Sequence, residues 1–115
     1  MLQDSAEFNV VGEASDGVQG ISQSEILQPD VILLDVSMPI LSGLGAAPRM
    51  LQVSPGSKIL MFSHYDSASI VNASLNAGAL GYVRKSDAKD LMAGLLATSQ
   101  GKQFVSSGVV VGGET

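Results

Sequence analysis

The sequence contains no cysteine, no tryptophan and a single histidine. Without cysteine the chain can form neither a disulfide framework nor a thiolate metal site, and one histidine argues against a zinc site. Six lysines and arginines stand against eleven acidic residues, and the net charge of −5 argues against a nucleic-acid-binding surface. No apolar run approaches the roughly 20 residues of a membrane span, and no basic-then-apolar leader is visible. We therefore expect a soluble cytoplasmic protein without direct contact to nucleic acid or membrane.

Length and hydrophobic content bound the architecture. A chain of 115 residues fits one domain, and a hydrophobic content of 45% is enough to build a core. Aromatic side chains are scarce, with three phenylalanines and two tyrosines, so we expect a core of aliphatic side chains.

Strand-like and helix-like segments alternate along the chain, which is typical of a parallel sheet with connecting helices. Gly43, Gly45 and Pro48 lie near the first turns of one predicted helix, so we expect that helix to start late or to be kinked. The predicted strands are 8–14, 30–36, 58–63 and 80–85, and the predicted helices are 18–27, 42–53, 67–77 and a last one capped by Ser86 or Asp87 that runs to about Gln100.

Asp35 ends a continuous apolar run in the segment DVILLDVSMP at 30–39. Such a run predicts a strand buried on both faces, and open α/β sheets form their sites at the carboxyl ends of such strands. Ser63 and Lys85 end two later predicted strands. Because parallel strands point the same way, we expect these three side chains to meet at one edge of the sheet.

Several motifs carry a resemblance to one family. VVGEASDG, PDVILLDVSMP, SGL, SPGSKILMFS, NAGALGYVRKS and GKQFVS occur in an order and at spacings that resemble the receiver domains of bacterial response regulators, in particular the NarL/FixJ type. The resemblance extends over about residues 2–107. It implies a flavodoxin-like (CheY-like) α/β fold, a parallel sheet of strand order 2-1-3-4-5 with helices on both faces.

The resemblance also implies roles for four residues. Asp35 matches the phosphorylated aspartate, Ser63 the switch hydroxyl, and Lys85 the lysine that pairs with the phosphoryl group. Tyr82 matches the aromatic residue that changes rotamer on activation. Each residue also has a plain structural interpretation: a strand-ending aspartate or serine, a solvated lysine, or a half-buried tyrosine. We assign no role to His64.

The chain departs from the family at its start. Receiver domains begin with a strand that ends in an acidic pair, which holds Mg²⁺, whereas the first residues here resemble only the last turn of the helix that follows. We therefore interpret 1–107 as an N-terminally truncated receiver domain, with Asp35 as the metal ligand of a weak, incomplete site. Glu13 and Glu114 are the acids that could replace the missing pair. We expect weak Mg²⁺ binding or none, and slow autophosphorylation.

Residues 108–115 form a tail with two interpretations. The run 109–111 could fill the vacant strand position, from the same chain or from a partner, or the tail could be a frayed stub. A receiver domain without one central strand should also expose apolar surface, so we expect a homodimer. The residues expected in that surface are Val31, Ile32, Ile59, Leu60, Leu91 and Leu95.

Three functions compete on these observations. The first is a receiver domain of a two-component phosphorelay that accepts phosphate from a histidine kinase. The second is a protein-interaction or dimerisation module that works without phosphorylation, which the missing acidic pair favours. The third, a flavodoxin-like ligand binder or enzyme, is weakest because the sequence has no P-loop and no G-x-G-x-x-G after a strand. We therefore expect a signalling protein and not an enzyme.

Overall fold

The computed structural model describes residues 16–37, 41–65 and 67–106. In this part of the chain helices and strands alternate, as the sequence predicts. The elements are α1 (Gly17–Leu27), β1 (Val31–Leu34), α2 (Gly43–Val53), β2 (Lys58–Ser63), α3 (Ala68–Asn76), β3 (Gly81–Arg84), a 3₁₀ helix (Lys85–Asp90), α4 (Leu91–Ser99) and β4 (Phe104–Val105).

The strands form a parallel sheet in the order β1-β2-β3-β4. Val31 pairs with Lys58 between β1 and β2, and Gly81 of β3 pairs with Phe104 of β4. The predicted class, a parallel α/β sheet, is confirmed. Among the described residues, the edge of β1 that faces away from β2 pairs with no other strand.

The two faces of the sheet carry separate hydrophobic cores. In β2, Ile59 and Met61 belong to one core and Leu60 to the other, because alternate side chains of a strand point to opposite faces. The first core includes residues of α2 and α3, and the second includes Leu95 of α4. Helices therefore cover both faces. Both cores are mainly aliphatic, although the largest fully buried side chain is that of Tyr82.

Of the two alternatives predicted for the second helix, the late start is wrong, and the kink stays a prediction. Helix α2 begins at Gly43, directly after Ser42, whose side-chain oxygen accepts a hydrogen bond from the backbone N–H of Gly45. The N–H of Gly43 donates to the carbonyl oxygen of Val36 at 2.9 Å. These two bonds fix the first turn, and the helix continues through Pro48, which lies on its exposed side.

The predicted cap of the last helix is also wrong. Neither Ser86 nor Asp87 caps an α-helix. A 3₁₀ helix occupies this segment, and α4 follows Asp90, whose side chain makes no capping bond. The reason is that the carboxylate of Asp87 is held by Arg84 and Ser106. The predicted end at Gly101 is supported by the left-handed backbone of that residue, with φ of 78°.

Part of the predicted apolar surface is buried within the chain. Ile59 and Leu60 have no exposed surface, and Leu95 is 2% exposed, because helices cover both faces of the sheet. On α4 the large apolar residues that stay exposed are Met92 and Leu96. The homodimer stays a prediction, now without these three residues in its interface.

Several predictions fall outside the described residues. They are the strand at 8–14, the tail at 108–115 with its possible strand at 109–111, and the acids Glu13 and Glu114. Within the described ranges, no helix has the length and apolarity to cross a bilayer.

Candidate functional site

The site is built around an ion pair between Asp35 and Lys85. Asp35 follows the last residue of β1, and Lys85 follows the last residue of β3, with β2 between the two strands. Lys85 Nζ donates to Asp35 Oδ2 at 2.7 Å. The side chain of Asp35 is 29% exposed, and that of Lys85 is 31% exposed. The predicted convergence of these residues at the carboxyl edge of the sheet is therefore observed.

The carboxylate of Asp35 is oriented by a second donor. Its other oxygen, Oδ1, accepts the backbone N–H of Ser37 at 2.9 Å. One oxygen therefore faces a backbone N–H and the other faces a side-chain ammonium group. Because the side chain remains partly exposed, a reagent from solution can reach the carboxylate.

Lys85 also lies over an aromatic ring. Its Nζ is 5.8 Å from the ring centroid of Phe62, within the range of a cation–π contact. Phe62 belongs to β2, the strand between the two charged residues. The ring gives the long lysine side chain a surface to lie on, which favours its extension toward Asp35.

Ser63 ends β2 and is fully buried. It pairs with Arg84 in the sheet, which brings it to the same edge as Lys85. Its Oγ accepts the backbone N–H of Tyr65 at 3.4 Å, a long and weak hydrogen bond. The hydroxyl at the predicted switch position is thus attached to the loop that follows β2.

Tyr82 is buried completely, more than the half-buried strand residue of the plain structural interpretation. Its hydroxyl donates to the carbonyl oxygen of Tyr65 at 2.6 Å. Tyr65 is itself 48% exposed, and its hydroxyl lies 3.5 Å from Ser37 Oγ. Sequence reasoning missed Tyr65, although it is one of only two tyrosines and lies two residues after Ser63.

Asp35 is the one predicted metal ligand that lies within the described residues. Among them, no group of three or more histidine, aspartate or glutamate side chains is placed to hold a metal ion. Mg²⁺ requires near-octahedral oxygen ligands and is usually held by carboxylates together with phosphate and water. Asp35 supplies one carboxylate to such a site, with Lys85 on one of its oxygens, and the weak, incomplete Mg²⁺ site stays a prediction.

Comparisons with known proteins agree with the resemblance. The family model for the response regulator receiver domain matches residues 1–96. The chain is 38% identical over 101 residues to the nitrate/nitrite response regulator protein NarL of Escherichia coli strain K12. This alignment covers 87% of this chain and 47% of NarL. It is also 37% identical over 89 residues to a protein-glutamate methylesterase/protein-glutamine glutaminase of Maricaulis maris, covering 76% of this chain and 22% of that enzyme.

A solved structure supports the same fold. The isolated REC domain of RcsB from Salmonella enterica serovar Typhimurium, determined in the presence of the phosphomimetic BeF3−, aligns with a TM-score of 0.78 at 30% identity. The alignment covers 88% of this chain and 76% of that domain. Against the curated relatives named above, the chain spans at most about half of their length, 47% in the case of NarL.

Proposed function

We propose that this chain, which belongs to the family of response-regulator receiver domains, accepts a phosphoryl group on Asp35 from a histidine kinase of a two-component phosphorelay. The observation that supports this most is the ion pair of Asp35 with Lys85 at 2.7 Å. It combines a partly exposed nucleophile with a cation at the place where phosphoryl charge would arrive. The proposal assigns the chain to signalling and not to enzymes.

The transfer follows the ordinary chemistry of an acyl phosphate. A carboxylate oxygen of Asp35 attacks the phosphorus atom of a phosphohistidine or of a small acyl phosphate, and a new O–P bond forms. The bond between phosphorus and the donor's nitrogen or oxygen breaks in line, and its electron pair leaves with the donor. The catalytic demand is mainly position and charge, since the transition state carries negative charge on its equatorial oxygens.

Lys85 meets the demand for charge. In the unmodified protein its ammonium group binds a carboxylate oxygen, and after transfer the same group can bind a phosphoryl oxygen without a change in backbone position. Both side chains are about 30% exposed, so the exchange of partners requires little desolvation. Lys85 is therefore proposed to stabilise the transition state and the product.

Ser63 and Tyr82 supply the conformational response. The weak bond from the Tyr65 N–H to Ser63 Oγ, at 3.4 Å, would be given up when the hydroxyl turns toward a phosphoryl oxygen. The same loop residue accepts the Tyr82 hydroxyl, so displacement of Tyr65 removes the bond that holds Tyr82 inside. Phosphorylation would thus shift the population between two loop positions.

The test is phosphorylation by a small acyl phosphate in the presence of Mg²⁺, followed by intact mass. We expect the chain to gain the mass of one phosphoryl group slowly, and Asp35→Asn to gain none. Asp30→Asn is the matched control, since Asp30 is an exposed carboxylate at the opposite end of the same strand. Equal modification of the wild-type chain and of Asp35→Asn would contradict the assignment of Asp35.

A phosphorylation-independent interaction module is the second candidate. It is favoured by the surroundings of Asp35, which, among the described residues, include no cluster of three or more metal-binding side chains. If neither acyl phosphate nor beryllofluoride with Mg²⁺ alters the wild-type chain, this second function replaces the first. Beryllofluoride binding, detected by NMR shifts at Asp35 and Ser63, would decide for the first.

A further inference from the structure

Three polar side chains beside Lys85 form a cluster that no pattern in the sequence predicts. Arg84 donates from Nε to Asp87 Oδ2 and from Nη2 to Asp87 Oδ1, both at 3.1 Å. Ser106 Oγ donates to Asp87 Oδ2 at 3.0 Å. We call Arg84, Asp87 and Ser106 the clasp.

The clasp joins three separate elements. Arg84 ends β3, Asp87 lies in the 3₁₀ helix, and Ser106 follows β4. The backbone takes part as well, since the N–H of Arg84 donates to Ser106 Oγ at 3.1 Å and the N–H of Ser106 donates to the carbonyl oxygen of Tyr82 at 2.9 Å. The clasp therefore continues the β3–β4 pairing and folds the 3₁₀ helix back onto it.

Asp87 is the centre of the clasp. It is 7% exposed, and its backbone departs from helical geometry, with φ of −107° and ψ of 38°. A buried carboxylate is tolerated where a bidentate guanidinium and a hydroxyl satisfy its oxygens. The break in the 3₁₀ helix lets the side chain reach Arg84 and Ser106 instead of solvent.

Lys85 lies between the first two members of the clasp. Its backbone is fixed on one side by Arg84 and, two residues later, by Asp87. A lysine side chain has four torsions, so its ammonium group can be no better positioned than its Cα atom. A displacement of about 1 Å at a reacting group is enough to slow a reaction strongly.

We infer that the clasp positions Lys85 against Asp35, and that Asp87 and Ser106 are positioning residues for phosphoryl transfer. The part that concerns transfer rests on the proposed function. The part that concerns the ion pair does not, because the contact of Lys85 with Asp35 exists in the unmodified protein.

The test compares two buried hydroxyls at opposite edges of the sheet. Ser106→Ala removes the hydroxyl that donates to Asp87. Ser57→Ala is the matched control, since Ser57 is buried, bonds another serine and a backbone carbonyl, and precedes β2 at the amino edge. The two variants lose the same group, but only Ser106→Ala touches the clasp.

The direct readout is the NMR coupling across the hydrogen bond between ¹⁵Nζ of Lys85 and ¹³Cγ of Asp35. We expect this coupling to be lost in Ser106→Ala and kept in Ser57→Ala. We also expect phosphorylation by acyl phosphate to slow about tenfold in Ser106→Ala alone, the lower end of what the loss of an orienting partner costs at ligand sites. Thermal unfolding should change by similar amounts in both variants.

The inference is overturned if both variants keep the coupling, or if both lose it. If the wild-type chain takes no phosphoryl group, the proposed function fails while the coupling still decides the role of the clasp. Arg84→Lys is the second variant, should Ser106→Ala fold poorly. It keeps the positive charge but not the bidentate geometry, and it should weaken the coupling as well.

Discussion

Different side-chain contacts lie at the two ends of the parallel strands, which we call the carboxyl edge and the amino edge of the sheet. At the carboxyl edge, Asp35 and Lys85 form an ion pair whose side chains are about 30% exposed. At the amino edge, the hydroxyls of Ser54 and Ser57 bond each other at 2.6 Å, and Ser57 also donates to the carbonyl oxygen of Pro29. Both serines are buried. The contact at the carboxyl edge is charged and partly exposed, whereas the contact at the amino edge is neutral and buried.

This difference indicates which side-chain contacts can change partners at a small cost in free energy. A partly exposed ion pair contributes little to stability, because water competes for both partners. Breaking it therefore costs little free energy, as the proposed exchange with a phosphoryl group requires. Buried hydroxyls cannot change partners without leaving a polar group unsatisfied. The buried hydroxyl pair at the amino edge thus contributes more to stability than the ion pair at the carboxyl edge.

The largest effect should come from substitution of Lys85. Lys85→Ala removes the cation that is proposed to face the incoming phosphoryl group, and we expect phosphorylation by acyl phosphate to slow by about 10²–10³-fold, the usual cost of one lost transition-state donor. Lys58→Ala is the control, because Lys58 begins β2 at the amino edge. Initial rates from intact mass spectrometry compare the two.

The comparison fails if both lysine variants slow the reaction equally. That result would mean that net charge, and not the position of Lys85, controls the encounter with the donor. Repeating the rates at high salt separates the two causes, since salt screens a long-range charge effect more than a direct contact.

Substitution of one glycine at each edge compares the two edges by the free energy of unfolding. A Cβ atom on Gly43 would overlap the carbonyl oxygen of Asp35, and backbone cannot move away as a flexible side chain can. We expect Gly43→Ala to lower the free energy of unfolding by about 3 kcal/mol, as for strong overpacking. Around Gly56, in the turn before β2, a Cβ atom would meet nothing within 4 Å. Gly56→Ala should be neutral or should stabilise by about 0.5 kcal/mol.

Urea denaturation of both glycine variants measures the difference. If Gly43→Ala unfolds like the wild-type chain, the helix α2 can begin elsewhere at no cost. The close approach of Gly43 to the strand end would then not be what fixes Asp35 at the edge.

The convergence of the site could be predicted from the sequence. The apolar run before Asp35 predicts a parallel strand, and strand-ending residues of parallel strands meet at one edge. That rule placed Asp35, Ser63 and Lys85 together. Their contacts follow from the order of the strands, which the resemblance to receiver domains supplied.

The two incorrect predictions of helix starts have a common physical cause. Asp87 reads locally as a helix cap, but Ser106, 19 positions further along the chain, and Arg84 bind its carboxylate instead. Gly43 reads as a weak helix start, but its lack of a side chain is what lets α2 begin against the backbone of Asp35. In both cases a contact outside the helix overrides the local preference, and the sequence pattern of the helix itself does not reveal that contact.

Two further substitutions, Asp35→Asn and Ser57→Ala, compare the two edges directly. Asp35→Asn keeps an acceptor for the Ser37 N–H but removes the ion pair, and we expect the free energy of unfolding to change by at most about 1 kcal/mol. Ser57→Ala leaves the hydroxyl of Ser54, which is 1% exposed, without its 2.6 Å partner, and it should cost about 1–3 kcal/mol. Urea denaturation with equal slopes for all variants makes the values comparable. If Asp35→Asn proves more destabilising than Ser57→Ala, the ion pair is a structural contact, and its proposed readiness to exchange with a phosphoryl group loses its physical basis.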